Sequence, residues 1–196
     1  MKNNKADSLQ PLSDSLKTID LTGHPPVDRW NPEHKGEIDI VIRTDGTWLH
    51  EGAVFQRDSL VRLFASVLWF EDGIHYLKTP AEKMRIVVEE VAFFIPLLEV
   101  VAEGTPQQQL IFTSTYGDRV VADAEHAIEV EEDPETGEPR PYLNMRYGMR
   151  GKLSRNVFYQ LAELAELQTQ DEQGDSVAQY LMVRSSGKQF VLGSAE

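Results

Sequence analysis

The chain of 196 residues contains no cysteine, which excludes disulfides, thiolate metal sites and cysteine nucleophiles. Long hydrophobic runs are missing too. The most apolar stretch, Val91 to Leu98, "VAFFIPLL", is short and contains a proline, well under a membrane span. The opening "MKNNKADSLQPLSDSLKTID" is polar and lacks the apolar centre of a signal peptide. Positive charge is scarce. With 19 Lys and Arg against 32 Asp and Glu the net charge is -13, which repels phosphate backbones at long range and argues against direct nucleic-acid binding. No G-x-x-x-x-G-K-[ST], G-x-G-x-x-G or G-x-S-x-G occurs, so the common signatures of nucleotide hydrolases, dinucleotide enzymes and serine hydrolases are lacking. The histidines, His24, His34, His50, His75 and His126, show no H-x-x-x-H or H-x-H spacing, and neither a metal nor a cofactor is expected. These absences describe a soluble cytoplasmic protein with no membrane partner. Its oligomeric state stays open.

What is present suits a globular chain of one large or two small domains, 41% hydrophobic and 26% charged. Residues 1–18 read as a flexible tail. In "VIRTDGTWLHEG" the Asp45-Gly46 pair sits between alternating apolar runs and predicts a two-residue hairpin turn. That register sets Arg43 opposite Trp48, Ile42 opposite Leu49 and Val41 opposite His50, with Ile38, Ile40, Ile42 and Leu49 on the core face. Leu60, Leu63, Phe64, Val67 and Leu68 then recur at helical spacing, with Asp58 as the expected N-cap. Strand-like runs follow in "IHYLKTP", "RIVVEEVAFFI", "QQLIFTSTY", "DRVVAD" and "HAIEVEE", and "EEDPETGEPRP" reads as an acidic loop.

The pattern then returns. "PYLNMRYGMRGKLS" is a second glycine-turned pair, "SRNVFYQLAELAEL" a second amphipathic helix, and "QYLMVRSSGKQFVLG" a second return through a sheet. Ile42-Arg43 aligns with Met145-Arg146, Arg57-x-x-Leu60-x-x-Leu63 with Arg155-x-x-Phe158-x-x-Leu161, and Tyr76-Leu77 with Tyr180-Leu181. The expectation is an α+β protein of mostly antiparallel sheets built from a duplicated hairpin, helix and strand unit. The expected parts are residues 19–83 and 84–196, with the boundary falling somewhere between about 80 and 106.

Trp30, "HPPVDRWNP", "GEIDIVI", "DGTWLHEG" and "TPAEK" stand in an order that resembles the bacterial family known as domain of unknown function 1285. The likeness runs from about His24 to Leu167 and is looser in the second half. The resemblance implies a duplicated core, a C-terminal half like a pleckstrin-homology fold, and a ligand site for a nucleotide-like molecule at the junction of the halves. It also implies a signalling role, and it carries no catalytic residues.

Three segments offer chemistry. Arg43 opposite Trp48 is either a stacking and charge platform for a planar anion or a cation–π pair covering a sheet. "YLKTPAEK" brings Lys78, Thr79, Glu82 and Lys83 to a strand end, where Thr79 either caps a short helical turn or contacts a ligand. From Pro139 to Ala162 the chain has Arg140, Arg146, Arg150, Lys152 and Arg155 and no acid at all. With Tyr142 as a stacking ring this strip reads as an anion pocket, or as a basic face docking on the acidic "VVEEV" and "WFEDG" of the first half.

The favoured function is a binding or sensing module, more consistent with a non-enzyme than an enzyme, holding a small anionic or nucleotide-like ligand between its halves. Arg43 and Trp48 clamp that ligand, Arg57, Arg146 and Arg150 meet its charge, Tyr142 stacks on it, and Thr79 and Glu82 orient it. A protein-interaction scaffold using Trp30, Trp48 and Trp69 is the first alternative, and a hydrolase of a phosphorylated metabolite the second.

Overall fold

The computed structural model describes residues 25–171 and 177–195, together with Leu9, Leu12 and Leu16. The expected tail, residues 1–18, otherwise lies outside the described residues. Leu12 and Leu16 are helical and buried. The chain divides into two compact units, Met1–Ala92 and Phe93–Glu196.

Unit 1 contains β1 (His34–Ile42), β2 (Trp48–His50), β3 (Ala53–Val54), helix α1 (Asp58–Ser66), β4 (Leu68–Glu71), β5 (Ile74–Lys78) and β6 (Glu82–Val88). The strands form one six-stranded sheet in the order β3-β2-β1-β6-β5-β4. Its neighbours run antiparallel except β1 and β6, which are parallel.

The first hairpin forms, but one residue away from the predicted register. The Gly46 N–H donates to the Arg43 carbonyl at 2.9 Å, and the Arg43 N–H donates to the Thr47 carbonyl at 2.9 Å. Gly46 has φ +82°, and Asp45 does not have a positive φ. This is a three-residue loop, a type I turn closed by a glycine in the left-handed region, and not the two-residue turn expected. The Asp45 carboxylate accepts from the Thr47 N–H at 2.8 Å, and that bond holds its pKa below the ordinary value. Ile42 therefore faces Trp48, Val41 faces Leu49 and Ile40 faces His50. A slip of one residue exchanges the faces of a strand, so Trp48 enters the core beside Ile40 and Ile42.

Helix α1 begins after Arg57, and Asp58 is its first residue, acting on the helix dipole instead of capping. It ends at Ser66, earlier than the apolar spacing suggests, because Leu68-Trp69-Phe70 leaves as β4.

Unit 2 contains β7 (Phe93–Ile95), β8 (Leu97–Val101), β9 (Gln109–Thr113), β10 (Arg119–Val121), β11 (Ile128–Glu132), β12 (Pro139–Asn144), β13 (Arg150–Leu153), helix α2 (Arg155–Leu164), β14 (Glu166–Asp171), β15 (Val177–Ser185) and β16 (Lys188–Ala195). They build three sheets, β10-β9-β8, β11-β12-β13-β7 and β14-β15-β16. The run "RIVVEEVAFFI", read as one strand, is split between β6 and β7. Ser154 caps α2 by accepting from the Val157 N–H at 3.2 Å, and Val157 and Leu161 are fully buried. Both units are thus mostly sheet, with α1 in unit 1 and α2 in unit 2 and a short 3-10 helix at Val27–Arg29, in mixed and antiparallel pairings.

Gly151 lets β13 lie close on β7. A Cβ at this position would meet Ile95 Cδ1 at 2.6 Å and Phe93 Cβ at 3.2 Å. Gly151→Val is expected to destabilise unit 2 by about 1 to 3 kcal/mol through overpacking. Adding Ile95→Ala should recover part of that loss, as read by urea denaturation with hydrogen exchange on unit 2 peptides. An unchanged midpoint for Gly151→Val would show that the contact yields freely.

Candidate functional site

The arginine strip of unit 2 is charge-matched from within its own unit. Arg146 pairs with Asp118, Arg140 with Asp133, and Arg150 with Glu131, with Glu129 at 3.9 Å from Arg150. Arg155 meets Glu138 at 3.0 Å. The carboxylates that pair with these four arginines come from residues 118–138. Tyr142 is buried on β12, and the Arg150 guanidinium lies 4.3 Å from its ring centroid. Its ring face is already covered. Arg146 lies 4.8 Å from the ring of Phe93.

The residues expected at the first hairpin do not converge either. Trp48 is buried against Phe55, Arg43 is exposed opposite Thr47, and Arg57 is exposed at the start of α1. The expected Arg43–Trp48 stack is replaced by a core tryptophan, as the corrected register requires. Trp30 and Trp69 are half-buried, so none of the three tryptophans stands exposed.

Geometry instead singles out the end of the unit 1 sheet. "YLKTPAEK" makes a tight turn from β5 to β6, in which the Thr79 N–H donates to the Glu82 carbonyl at 2.8 Å. The Thr79 hydroxyl accepts from the Glu82 N–H at 3.1 Å and the Ala81 N–H at 3.3 Å, and Thr79 is fully buried. Its polar groups serve the turn, with no helix to cap. Glu82 is half-buried and sits opposite His34 on β1. The turn sets Lys78 directly opposite Lys83, and the parallel pairing sets Lys83 opposite Lys35. Ladder partners share a sheet face, so Lys35, Lys83 and Lys78 form a row of three cations across β1, β6 and β5. Trp69 opposite Tyr76 occupies the same face in the next rung.

Like charges directly across a sheet are unfavourable, and this row persists because each buried cation has a specific support. Lys78 is 7% exposed and Lys83 9%. The Lys78 ammonium lies 4.0 Å from the Trp69 ring centroid, and the Lys83 ammonium 4.5 Å from that of Tyr76. Lys83 also pairs with Glu71 on β4. The hydrogen bond from Lys83, and after it the charges of Lys83, Lys78 and Lys35, holds the Glu71 carboxyl below its ordinary pKa. Burial first, and the Lys83 charge as well, holds the Lys78 ammonium below the usual lysine value. Among the described residues no carboxylate lies within ion-pair distance of Lys78 or Lys35. Lys35 on β1 is exposed and the Glu71 side chain on β4 is 44% exposed, so the cluster reaches solvent at both ends of the row.

Sequence reasoning found Lys78 and Lys83, named Trp69 only as an interface residue, and missed Lys35, Glu71 and Tyr76 as members of this cluster. The cross-strand pairing of Lys78 and Lys83 follows from the tight turn and was within reach. Lys35 joins through a parallel pairing that no local pattern announces.

Residues 25–91 match the family described as Domain of unknown function (DUF1285), N-terminal domain, and residues 92–192 match its C-terminal domain. The crystal structure of a DUF1285 family protein from Silicibacter pomeroyi DSS-3 is 38% identical, with a TM-score of 0.80 over 94% of this chain and 95% of that one. A DUF1285 family protein from Shewanella baltica OS155 is 25% identical, with a TM-score of 0.50 over 64% of this chain and 91% of that one. No curated protein matches the chain.

Proposed function

The chain belongs to the DUF1285 family, and from that premise we propose that it is a cytoplasmic, non-enzymatic module that binds a small anionic ligand on the lysine row of unit 1 and serves in signalling. One observation carries the reading. Among the described residues, three lysines in ladder register have one carboxylate, the partly exposed Glu71, within ion-pair distance, with the charge of Asp28 also acting on Lys78, in a chain whose net charge is -13. Such a concentration of like charge destabilises the fold until an anion neutralises it, and anions are drawn to it. Glu71 does part of that work in the free protein, and an incoming anion competes with it. The lack of cysteine suits a reducing compartment. Among the described residues no helix is long and apolar enough to cross a membrane.

The duplication and the pleckstrin-like character of the C-terminal half belong to this proposal. The recurrence of a hairpin, a helix and three further strands, as β1–β2, α1, β4–β6 in unit 1 and β12–β13, α2, β14–β16 in unit 2, supports the duplication, and the pleckstrin-like character rests on the family resemblance.

The test is thermal unfolding with and without phosphates, because a ligand at 100 times its Kd adds about 2.7 kcal/mol of stability. Lys35→Gln, a solvent-exposed change, should shrink the anion-induced rise in Tm. Glu71→Gln should enlarge it, because the competing carboxylate is gone. If no anion raises the midpoint of wild type, or if these two substitutions act in the same direction, the reading is wrong.

A further inference from the structure

The aromatic residues of the lysine row bear on what kind of anion it takes. A base or other planar ring would need an open aromatic face, and the two rings here are already engaged. The Lys78 ammonium covers Trp69 at 4.0 Å and the Lys83 ammonium covers Tyr76 at 4.5 Å. Those rings hold cations in place. The cations themselves are ordered linearly, Lys35, Lys83 and Lys78 on three adjacent strands, and strand spacing makes the row about 10 Å long. Among the described residues one carboxylate, Glu71, pairs with it and the charge of Asp28 also reaches Lys78, which still leaves three cations against two anions along a line. Lysine ammoniums act as point charges, suited to bare phosphate oxygens and indifferent to the planar fork geometry that arginine would demand. An anion entering at the exposed β1 end meets Lys35 first and then competes for Lys83 with Glu71, which reaches that lysine from β4 on the far side of the row.

We infer that the row selects compact, linear, multiply charged phosphates of the diphosphate kind, and that it recognises their charge without reading a base or sugar attached to them. This rests on the anion-binding reading above and narrows it. Diphosphate carries its charge over two linked centres and can bridge neighbouring lysines, whereas orthophosphate engages fewer of them at once.

Isothermal titration of the full chain at low salt with orthophosphate, pyrophosphate, ADP and adenosine separates the possibilities. Pyrophosphate is expected to bind at least about tenfold more tightly than orthophosphate, ADP within about threefold of pyrophosphate, and adenosine not at all. Lys35→Gln should weaken pyrophosphate about three- to tenfold. Arg155→Gln, which removes an exposed arginine of unit 2, should leave it unchanged. ADP binding more than tenfold tighter than pyrophosphate, or orthophosphate binding as tightly as pyrophosphate, overturns the inference while the anion site stands. Binding of none of these anions removes both.

Discussion

Trp48→Ala is expected to lower the stability of unit 1 by about 3 to 5 kcal/mol, the range for removing a large aromatic side chain from a core. The indole is 2% exposed and shares a ladder rung with Ile42, itself fully buried. It meets the Phe55 ring edge-on, at 6.3 Å and 77°, and Phe55 meets Phe64 of α1 at 5.9 Å and 78°. Removing Trp48 therefore opens a cavity and unlinks a run of edge-to-face contacts that joins the hairpin to the helix. The same substitution discriminates between the two hairpin registers. With a two-residue turn Trp48 would lie on the opposite face of the ribbon from Ile42, and its loss would cost less than about 1 kcal/mol. All three tryptophans lie in unit 1, so fluorescence of Trp30 and Trp69 follows its unfolding in urea. A midpoint equal to that of wild type would mean that the indole is not in the core.

That hairpin illustrates how much of the fold was legible. Asp-Gly between alternating apolar runs locates the turn, but it serves both a two-residue loop with two positive φ angles and a three-residue loop with one. Only Gly46 is at positive φ, and packing of Trp48 decides the register. The start of α1 was readable from Arg57-Asp58. Its end was not, because Leu68 continues the helical spacing while its side chain is buried from a strand.

Charge misled for a related reason. The stretch from Pro139 to Ala162 lacks acids along the chain, yet antiparallel pairing folds β11 against β12 and puts Glu131 directly opposite Arg140 and Glu129 opposite Tyr142. An asymmetry that is sharp in sequence is cancelled in space. The lysine row is the converse. Lys35 and Lys83 are scattered among acids along the chain, and sheet pairing brings them together. Net charge along a segment says little about a sheet until its ladder partners are known.

Asp118→Ala is expected to destabilise unit 2 by about 3 to 5 kcal/mol, because it leaves the Arg146 guanidinium in place without its carboxylate. The two side chains are 6% and 15% exposed. The other Asp118 oxygen accepts from the Ser114 hydroxyl at 2.8 Å, and the Ser114 N–H donates to the Asp118 carbonyl at 2.8 Å, so the carboxylate is fixed within its own turn. Arg146 reaches it from the turn between β12 and β13, where Met145 and Met149 pair at 2.9 Å and Tyr147 holds φ +56°. The ion pair thus ties two turns together over the face of Phe93. Arg146→Ala should cost a similar amount, since the buried Asp118 carboxylate then loses its guanidinium partner. The double variant Asp118→Leu with Arg146→Met should recover most of either loss, because an apolar pair of similar size removes both desolvation penalties. Five of the six tyrosines lie in unit 2, so near-ultraviolet circular dichroism, with hydrogen exchange on the 114–118 peptide, follows the transition. The cycle also separates two roles for Arg146. A residue held in reserve for a ligand would cost little when removed alone and would show no coupling to Asp118. A residue that holds the fold shows strong coupling, and Arg146→Ala then leaves pyrophosphate affinity on the lysine row untouched.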